Sequence, residues 1–292
     1  MSSRLEMLQV ARLSPTLLGD AADLTADFLS TRLNPDGGFQ DRDGASDLYY
    51  TVFGLEALTA LRRDLPAPAV RRFLERHEDP AELDFVHTAC LARCWADIGA
   101  ASDAPAQALL ARLESFRTPD GGYSPTDGAD HGTAYGCFLA LGAYEDLGAA
   151  LENPDRLLAC LATLRAADGG YGNRPGVPTG LTPPTAAAVT VQRRLSRPAD
   201  REAAAWLRAR HLPAGGFCAS PSTPMPDLLS TATALHALAG AHAPLEPIRE
   251  PCLDFVDSLW SNSGGFYGSW GDDVQDCEYT FYALLALGHL SL

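Results

Sequence analysis

The hydrophobic positions of this chain fall into two kinds of stretch. One kind is amphipathic, as in "DAADLTADFLSTRL" and "PIREPCLDFVDSLW", where apolar residues recur at three and four with charges between them. That is the period of a helix with one buried face. The other kind is more apolar, as in "DLYYTVFGLEAL" from Asp47 and "DCEYTFYALLAL" from Asp276, and reads as a buried helix. Between the two recurs a double glycine followed by an aromatic: "DGGFQ" (Gly37, Gly38), "DGGYS" (Gly121, Gly122), "DGGYG" (Gly169, Gly170), "AGGFC" (Gly215, Gly216) and "SGGFY" (Gly264, Gly265). The first glycines lie 84, 48, 46 and 49 residues apart. The widest gap hides a unit without glycines, because "LDFVHTACLARCW" from Leu83 shares the D-x-x-x-T opening of "DLYYT", "DLLST" and "DCEYT". Self-similarity at a fixed period marks a repeat architecture, and here it gives six units.

Each unit predicts two helices. The amphipathic helix, the first at about residues 15 to 32, ends at the glycine pair, where a left-handed residue closes its last turn. After a loop the apolar helix opens at Asp47, Asp84, Asp130, Thr182, Asp227 or Asp276. Asp and Thr there suit an N-cap, whose side-chain oxygen accepts orphan backbone N–H groups, and Thr182 before Pro183 fits a cap followed by the first helical residue. Six such hairpins, polar helices outside and apolar helices inside, predict an all-α fold, an (α/α)6 barrel or toroid. An open solenoid without capping repeats would expose an apolar face. Residues 1–14 read as an N-terminal extension and 15–292 as a single toroid domain.

Composition narrows the classes of function. The chain has 292 residues and a net charge of −15 with a pI near 4.7, which argues against electrostatically driven binding to nucleic acid or to an anionic membrane surface. No run of 18 apolar residues predicts a transmembrane segment, and the N-terminus lacks the apolar stretch and cleavage site of a signal peptide. Seven scattered cysteines with no CxxC pair read as reduced thiols in a cytoplasmic protein. There is no P-loop, GxSxG or dinucleotide fingerprint.

"DGGFQDRDGASDLYYTVFGLEALTAL" and "GGFYGSWGDDVQDCEYTFYALLALGHL" resemble the repeats of protein prenyltransferase β subunits and of squalene and terpene cyclases. The resemblance covers the chain from about residue 15 to its end. It implies the same toroid, with the chemistry at one end of the inner helices. Counting from the capping Asp as position 0, the Thr at +4 (Thr51, Thr88, Thr231, Thr280) recurs, whereas +2 and +3 vary: Tyr49-Tyr50, Val86-His87, Gly132-Thr133, Leu229-Ser230 and Glu278-Tyr279. In the prenyltransferases these positions bind zinc, through an Asp-x-Cys on the fifth inner helix and a His at +3 of the sixth. Here Asp227 matches the zinc Asp, but Leu229 stands at the Cys and Tyr279 at the His. One carboxylate does not hold Zn²⁺, so no zinc is expected. Of the cations that grip a diphosphate, the loops keep only Arg174. Class II terpene cyclases instead place D-x-D-D-T-A on this frame, and their +2 carboxyl protonates an alkene or epoxide. "DCEYT" supplies Asp276 at 0 and Glu278 at +2, so the resemblance implies Glu278 as the acid with Asp276 beside it. A carboxyl in an apolar cavity has its pKa raised, and aromatic faces stabilise a carbocation. Tyr49, Tyr50, Phe53, Tyr135, Phe138, Tyr279, Phe281 and Tyr282 are available for that.

Other candidates are bland by comparison. Asp84, His87, Cys90 and Cys94 share a helix, and Asp84 and His87, or Asp227, are the alternatives for a metal. His131 follows Asp130 and faces the mouth or the loops. "GDDVQD" (Asp272, Asp273, Asp276) reads as a solvated loop, or as a Mg²⁺ site were the substrate a diphosphate. The substrate-binding set is thus Tyr49, Tyr50, Phe53, His87, His131, Tyr135, Arg174, Tyr279, Phe281 and Tyr282. The expected function is zinc-independent, acid-initiated cyclisation of a polyprenyl chain in an apolar central cavity. The alternatives are a prenyltransferase β-like subunit needing an α-type partner and a lipid-binding toroid without catalysis. A homodimer is a further expectation for the assembly. The glycine repeat argues against the glycosidases that also use (α/α)6 barrels.

Overall fold

The structure, a computed structural model, describes residues 2–77 and 79–292. Among the described residues the α-helices are, in order, α1 (Ser3–Ala11), α2 (Pro15–Leu18), α3 (Ala21–Thr31), α4 (Leu48–Ala60), α5 (Ala67–Leu74), α6 (Phe85–Asp97), α7 (Ala106–Glu114), α8 (Ala134–Asp146), α9 (Pro154–Thr163), α10 (Thr182–Arg194), α11 (Arg201–Arg208), α12 (Leu228–Gly240), α13 (Arg249–Ser258) and α14 (Cys277–Leu290). Helices α4, α6, α8, α10, α12 and α14 pack side by side in that order, and α14 returns to α4. They form the closed inner ring of an α/α toroid, and α3, α5, α7, α9, α11 and α13 are the outer partners of the six hairpins. The burial contrast follows the sequence pattern: α4 buries ten of its 13 residues, whereas α11 buries only Ala203, Trp206 and Leu207. The unit without glycines is in place, with α6 between α4 and α8.

The inner helices are capped as the sequence predicts in four units. The carboxylates of Asp47, Asp84, Asp227 and Asp276 accept the N–H of Tyr50, His87, Ser230 and Tyr279. The third and fourth units differ. Asp130 lies in the loop, and Thr133 caps α8 by accepting the Gly136 N–H at 2.8 Å. Thr182 is already helical, Leu181 holds the cap position, and the Thr182 hydroxyl donates to the Cys218 carbonyl at 2.5 Å. Pro183 and Pro184 remove two of the orphan N–H groups that a cap would serve. The frame of the third unit therefore shifts by three residues, and its +2 and +3 positions are Tyr135 and Gly136, not Gly132 and Thr133. In four units a Thr at +4 fastens the loop to its helix: the Thr51, Thr185, Thr231 and Thr280 hydroxyls accept the N–H of Phe39, Tyr171, Phe217 and Phe266.

The glycine pairs do not end the outer helices. Helix α3 ends at Thr31, and Gly37 lies beyond it in a turn, with φ +100°. Its role is close approach to the next outer helix, since a Cβ there would stand 2.0 Å from the Ala69 carbonyl oxygen. The same device closes the ring: Gly264 has φ +95°, and a Cβ on it would stand 2.1 Å from the Leu24 oxygen of α3. Gly264→Ala is therefore expected to destabilise the fold by at least about 1–2 kcal/mol from the backbone conformation alone, with further loss from the clash. A thermal melt that matches wild type would contradict this account of the seam. The predicted outer helix at 15 to 32 is in fact two helices, because Gly19 (φ +55°) breaks it after Leu18.

Helix α1 packs against α14, α4 and α8 at the C-terminal ends of the inner ring. Its Arg4 pairs with Asp97 (3.0 Å) and Asp146 (3.2 Å). Arg93 pairs in turn with Asp146 and with Glu56 (3.0 Å). Two guanidiniums and three carboxylates so tie α1, α4, α6 and α8 together beneath the barrel. No helix among the described residues is long and apolar enough to cross a membrane.

Candidate active site

Inside the ring lies a cavity of about 250 Å³. Its walls come from the six inner helices, with Met7 of α1, among the described residues, the one lining residue from outside them. Aromatic rings dominate the wall between α4 and α14. Tyr49 meets Phe53 edge-on (centroids 4.9 Å apart), and Phe53 lies 5.8 Å from Phe281 and 5.4 Å from Tyr282. Tyr135 and Phe138 of α8 face the same space. The N-terminal turns of the inner helices form the mouth. In the corrected frame their +2 residues are Tyr49, Val86, Tyr135, Pro183, Leu229 and Glu278, and four of these, Tyr49, Tyr135, Pro183 and Leu229, line the cavity.

Glu278 is half-buried in the first turn of α14. It stands beside the cavity, joined to its wall by the Tyr49 hydroxyl, which donates to Oε1 at 2.6 Å. The expectation placed Asp276 beside the acid, whereas the hydrogen-bond partner of Glu278 is Tyr49. Burial pushes the Glu278 carboxyl up to about 7. The Tyr49 hydrogen bond and Arg42 oppose the shift, and the Asp276 charge adds to it. Asp276 is almost fully buried, 3% exposed, and is already engaged: it caps α14 through the Tyr279 N–H and takes Arg42 Nε at 2.8 Å. Burial raises its carboxyl, against the Tyr279 amide and Arg42. Its influence on Glu278 is thus through charge.

Arg42 was not among the expected residues. Its guanidinium also pairs with Asp272 at 2.9 Å and lies over the Tyr279 ring, 5.3 Å from the centroid. The acidic loop therefore converges on a cation supplied by the first unit, which pairs with both Asp272 and Asp276. Ring closure brings this loop of the first unit beside the sixth, a neighbourhood the repeat count implies but the linear sequence hides. Tyr50 and Tyr279 are half-buried at this rim and are not cavity lining.

The remaining expected residues separate. His87 bridges two caps, Nδ1 to Asp84 at 2.8 Å and Nε2 to Asp47 at 2.9 Å. The Asp47 hydrogen bond, with that of Asp84, raises its pKa to about 9, and both ring nitrogens are engaged by these carboxylates. His131 Nδ1 lies 3.2 Å from the Gly132 carbonyl, and Arg174 is exposed in the fourth loop. Neither lines the cavity, because both sit in loops that precede the inner helices. The zinc set of the prenyltransferases does not fit these residues. Asp227 is spent on its helix cap, Leu229 is apolar cavity wall, and Tyr279 covers Arg42. Among the described residues no three His, Cys, Asp or Glu groups are placed to hold a metal ion.

Deeper in the cavity, sequence reasoning missed a polar layer. Glu56, Arg93, Thr190 and His236 all line it, each nine residues past its cap position. His236 Nδ1 meets His289 Nε2 at 3.1 Å, and burial lowers the two histidines to about 4 and about 3, leaving both neutral. The signal was visible: a Glu in "VFGLEAL" and an Arg in "CLARCW" interrupt otherwise apolar inner helices.

The family described as the prenyltransferase alpha-alpha toroid domain matches residues 3–89, 69–182 and 184–291. No curated protein matches the chain by sequence. Among solved structures, the chain is similar to the type II terpene cyclase MstE from Scytonema, with 16% identity, 94% of this chain and 97% of that one covered and a TM-score of 0.62. A further structure of that cyclase holds geranylgeranyl dihydroxybenzoate as its substrate. The Candida albicans protein geranylgeranyltransferase-I, complexed with GGPP, is similar with 12% identity, coverage of 90% and 89% and a TM-score of 0.67. A protein from Actinoplanes is similar with 17% identity, coverage of 93% and 98% and a TM-score of 0.61.

Proposed function

The chain belongs to the prenyltransferase alpha-alpha toroid family, and from that premise we propose that the protein is an acid-initiated isoprenoid cyclase. The observation that carries this reading is Glu278, a carboxyl pushed up to about 7 and hydrogen-bonded to Tyr49 of an aromatic cavity wall. A group with that pKa keeps a large neutral fraction at neutral pH and can still give up its proton, the condition for general acid catalysis. Glu278 donates the proton to an alkene of the bound chain. The resulting carbocation is attacked by a neighbouring double bond, a carbon–carbon bond forms, and loss of a proton from a ring carbon gives a cyclic isomer of the substrate. Tyr49 donates to the carboxylate left behind. The faces of Phe53, Tyr135, Phe138, Phe281 and Tyr282 stabilise the cation as it migrates. A polyprenyl substrate class is supported by the ligands of the two structural neighbours, geranylgeranyl dihydroxybenzoate and GGPP.

The acid form is required, so activity is expected to fall as pH rises through about 7. The Tyr49 hydrogen bond lowers the Glu278 pKa by stabilising the carboxylate. Tyr49→Phe should therefore move the falling limb to higher pH, and a pH profile of kcat/KM on a polyprenyl substrate reads this directly. An unmoved limb contradicts the Glu278 assignment. Loss of turnover at every pH would place the transferred proton on the tyrosine hydroxyl instead.

A further inference from the structure

We propose that α1 is the floor of the cavity and that Met7 gauges the length of the chain the cavity accepts. This rests on the reading of the cavity as an isoprenoid site and adds the determinant of substrate size. A ring of six inner helices is open at both ends. The mouth lies at their N-terminal turns, where Glu278 and Tyr49 meet. The other end is crossed by α1, which lies outside the six hairpins. Helix α1 is pinned there from several sides. Arg4 pairs with Asp97 and Asp146 at the ends of α6 and α8. The Ser3 amide donates to Glu145 at 2.6 Å, and Arg193 at the end of α10 pairs with Glu6 at 2.5 Å. At α14 the approach is so close that a Cβ on Gly288 would stand 2.2 Å from the Val10 oxygen. An anchor of this kind fixes a floor in place.

From this helix a single side chain, Met7, reaches the cavity lining. The polar layer nine residues below the caps and the tyrosine–glutamate layer two below are separated by seven residues, about 10 Å of helix rise. Glu278 thus stands beside the mouth end of the cavity, joined to its wall by Tyr49, and Met7 reaches the lining from the helix across the other end. A chain whose terminal alkene is held at the acid must fit its length within that span or leave by the mouth. Methionine suits the position because its unbranched thioether fills irregular gaps, and its replacement changes depth without adding charge.

The experiment measures binding of geraniol, farnesol and geranylgeraniol to the full chain by calorimetry, for wild type, Met7→Ala and Met7→Trp, with a thermal melt of each. Binding needs no turnover, so the readout is independent of catalysis. Met7→Ala removes two carbons and the sulfur, and should favour the next longer alcohol over the wild-type optimum by at least about tenfold, the discrimination that even one methylene provides in an apolar pocket. Met7→Trp should shift the preference to a shorter alcohol. The two variants move in opposite directions, so a general loss of stability in either cannot imitate the result. Identical length preferences in all three proteins would overturn the gauge and leave the isoprenoid site standing. Failure of every alcohol to bind wild type would overturn the site and the gauge with it.

Discussion

Replacing Glu278 with Gln is expected to lower turnover of a polyprenyl substrate by about 10²–10⁴-fold, the usual contribution of a general acid, while binding of the substrate survives. Glutamine keeps the size of the side chain and can still accept the Tyr49 hydroxyl, but it has no proton to transfer. The folded-state pKa of Glu278 lies above its ordinary value of 4.5, at about 7, so the carboxyl is a stability cost that sets in as pH rises between those two values. The melting temperature of Glu278→Gln at pH 8 should therefore match or exceed that of wild type. A carboxylate serving only the helix dipole would act in the opposite sense, since its removal costs about 0.3–1 kcal/mol. Lost turnover with an unreduced melt separates the two roles. Asp276→Asn is less clean, because it also weakens the α14 cap, a contribution of about 1 kcal/mol, and strips a partner from Arg42. Unchanged turnover in Glu278→Gln would leave the toroid a lipid-binding protein.

The largest effect on stability is expected at Arg93. Its side chain is 13% exposed and holds Glu56 and Asp146, which are 2% and 1% exposed. Arg93→Met keeps most of the volume, strands Glu56 in the interior and leaves Asp146 paired with Arg4. Breaking a buried pair by removing one partner costs about 3–5 kcal/mol, a fall in melting temperature on the order of 10 °C. Adding Glu56→Leu to the same chain should recover part of it, because the stranded charge is gone. A melt of Arg93→Met within a degree or two of wild type would show that these groups are solvated or neutral, and that they do not bind α1, α4, α6 and α8 together.

Much of this architecture was legible in the sequence, because its signals are local and repeated. The period of three and four, the capping Asp and the Thr at +4 recur in unit after unit, and six units leave little but a closed ring. The glycine pairs were legible as landmarks and misread as helix ends. Their reason lies in the neighbouring outer helix, which a linear reading does not bring near. The frame of the third unit slipped because Asp130 resembles a cap, whereas Thr133 is the residue whose oxygen meets the first-turn N–H. The candidate site was legible where it sits on one helix, as with Glu278 in the last. It was not legible where it depends on closure, as with Tyr49 meeting Glu278 from the first unit and Arg42 meeting Asp272 and Asp276. The floor was hidden for a similar reason, since an extension outside the repeats gives no sign of packing under them.

Whether a proton from the protein starts the reaction is tested most directly by running that reaction in heavy water. The enzyme is incubated with a polyprenyl substrate in D₂O, and the product is examined by mass spectrometry and NMR. Glu278 exchanges its proton with solvent before each turnover, so the account predicts a cyclic product carrying one non-exchangeable deuterium, on the carbon of the protonated alkene. The Glu278→Gln chain should form almost none of it. A product without deuterium, or one that has lost a diphosphate from the substrate, would contradict acid initiation and point to a reaction begun by ionisation instead.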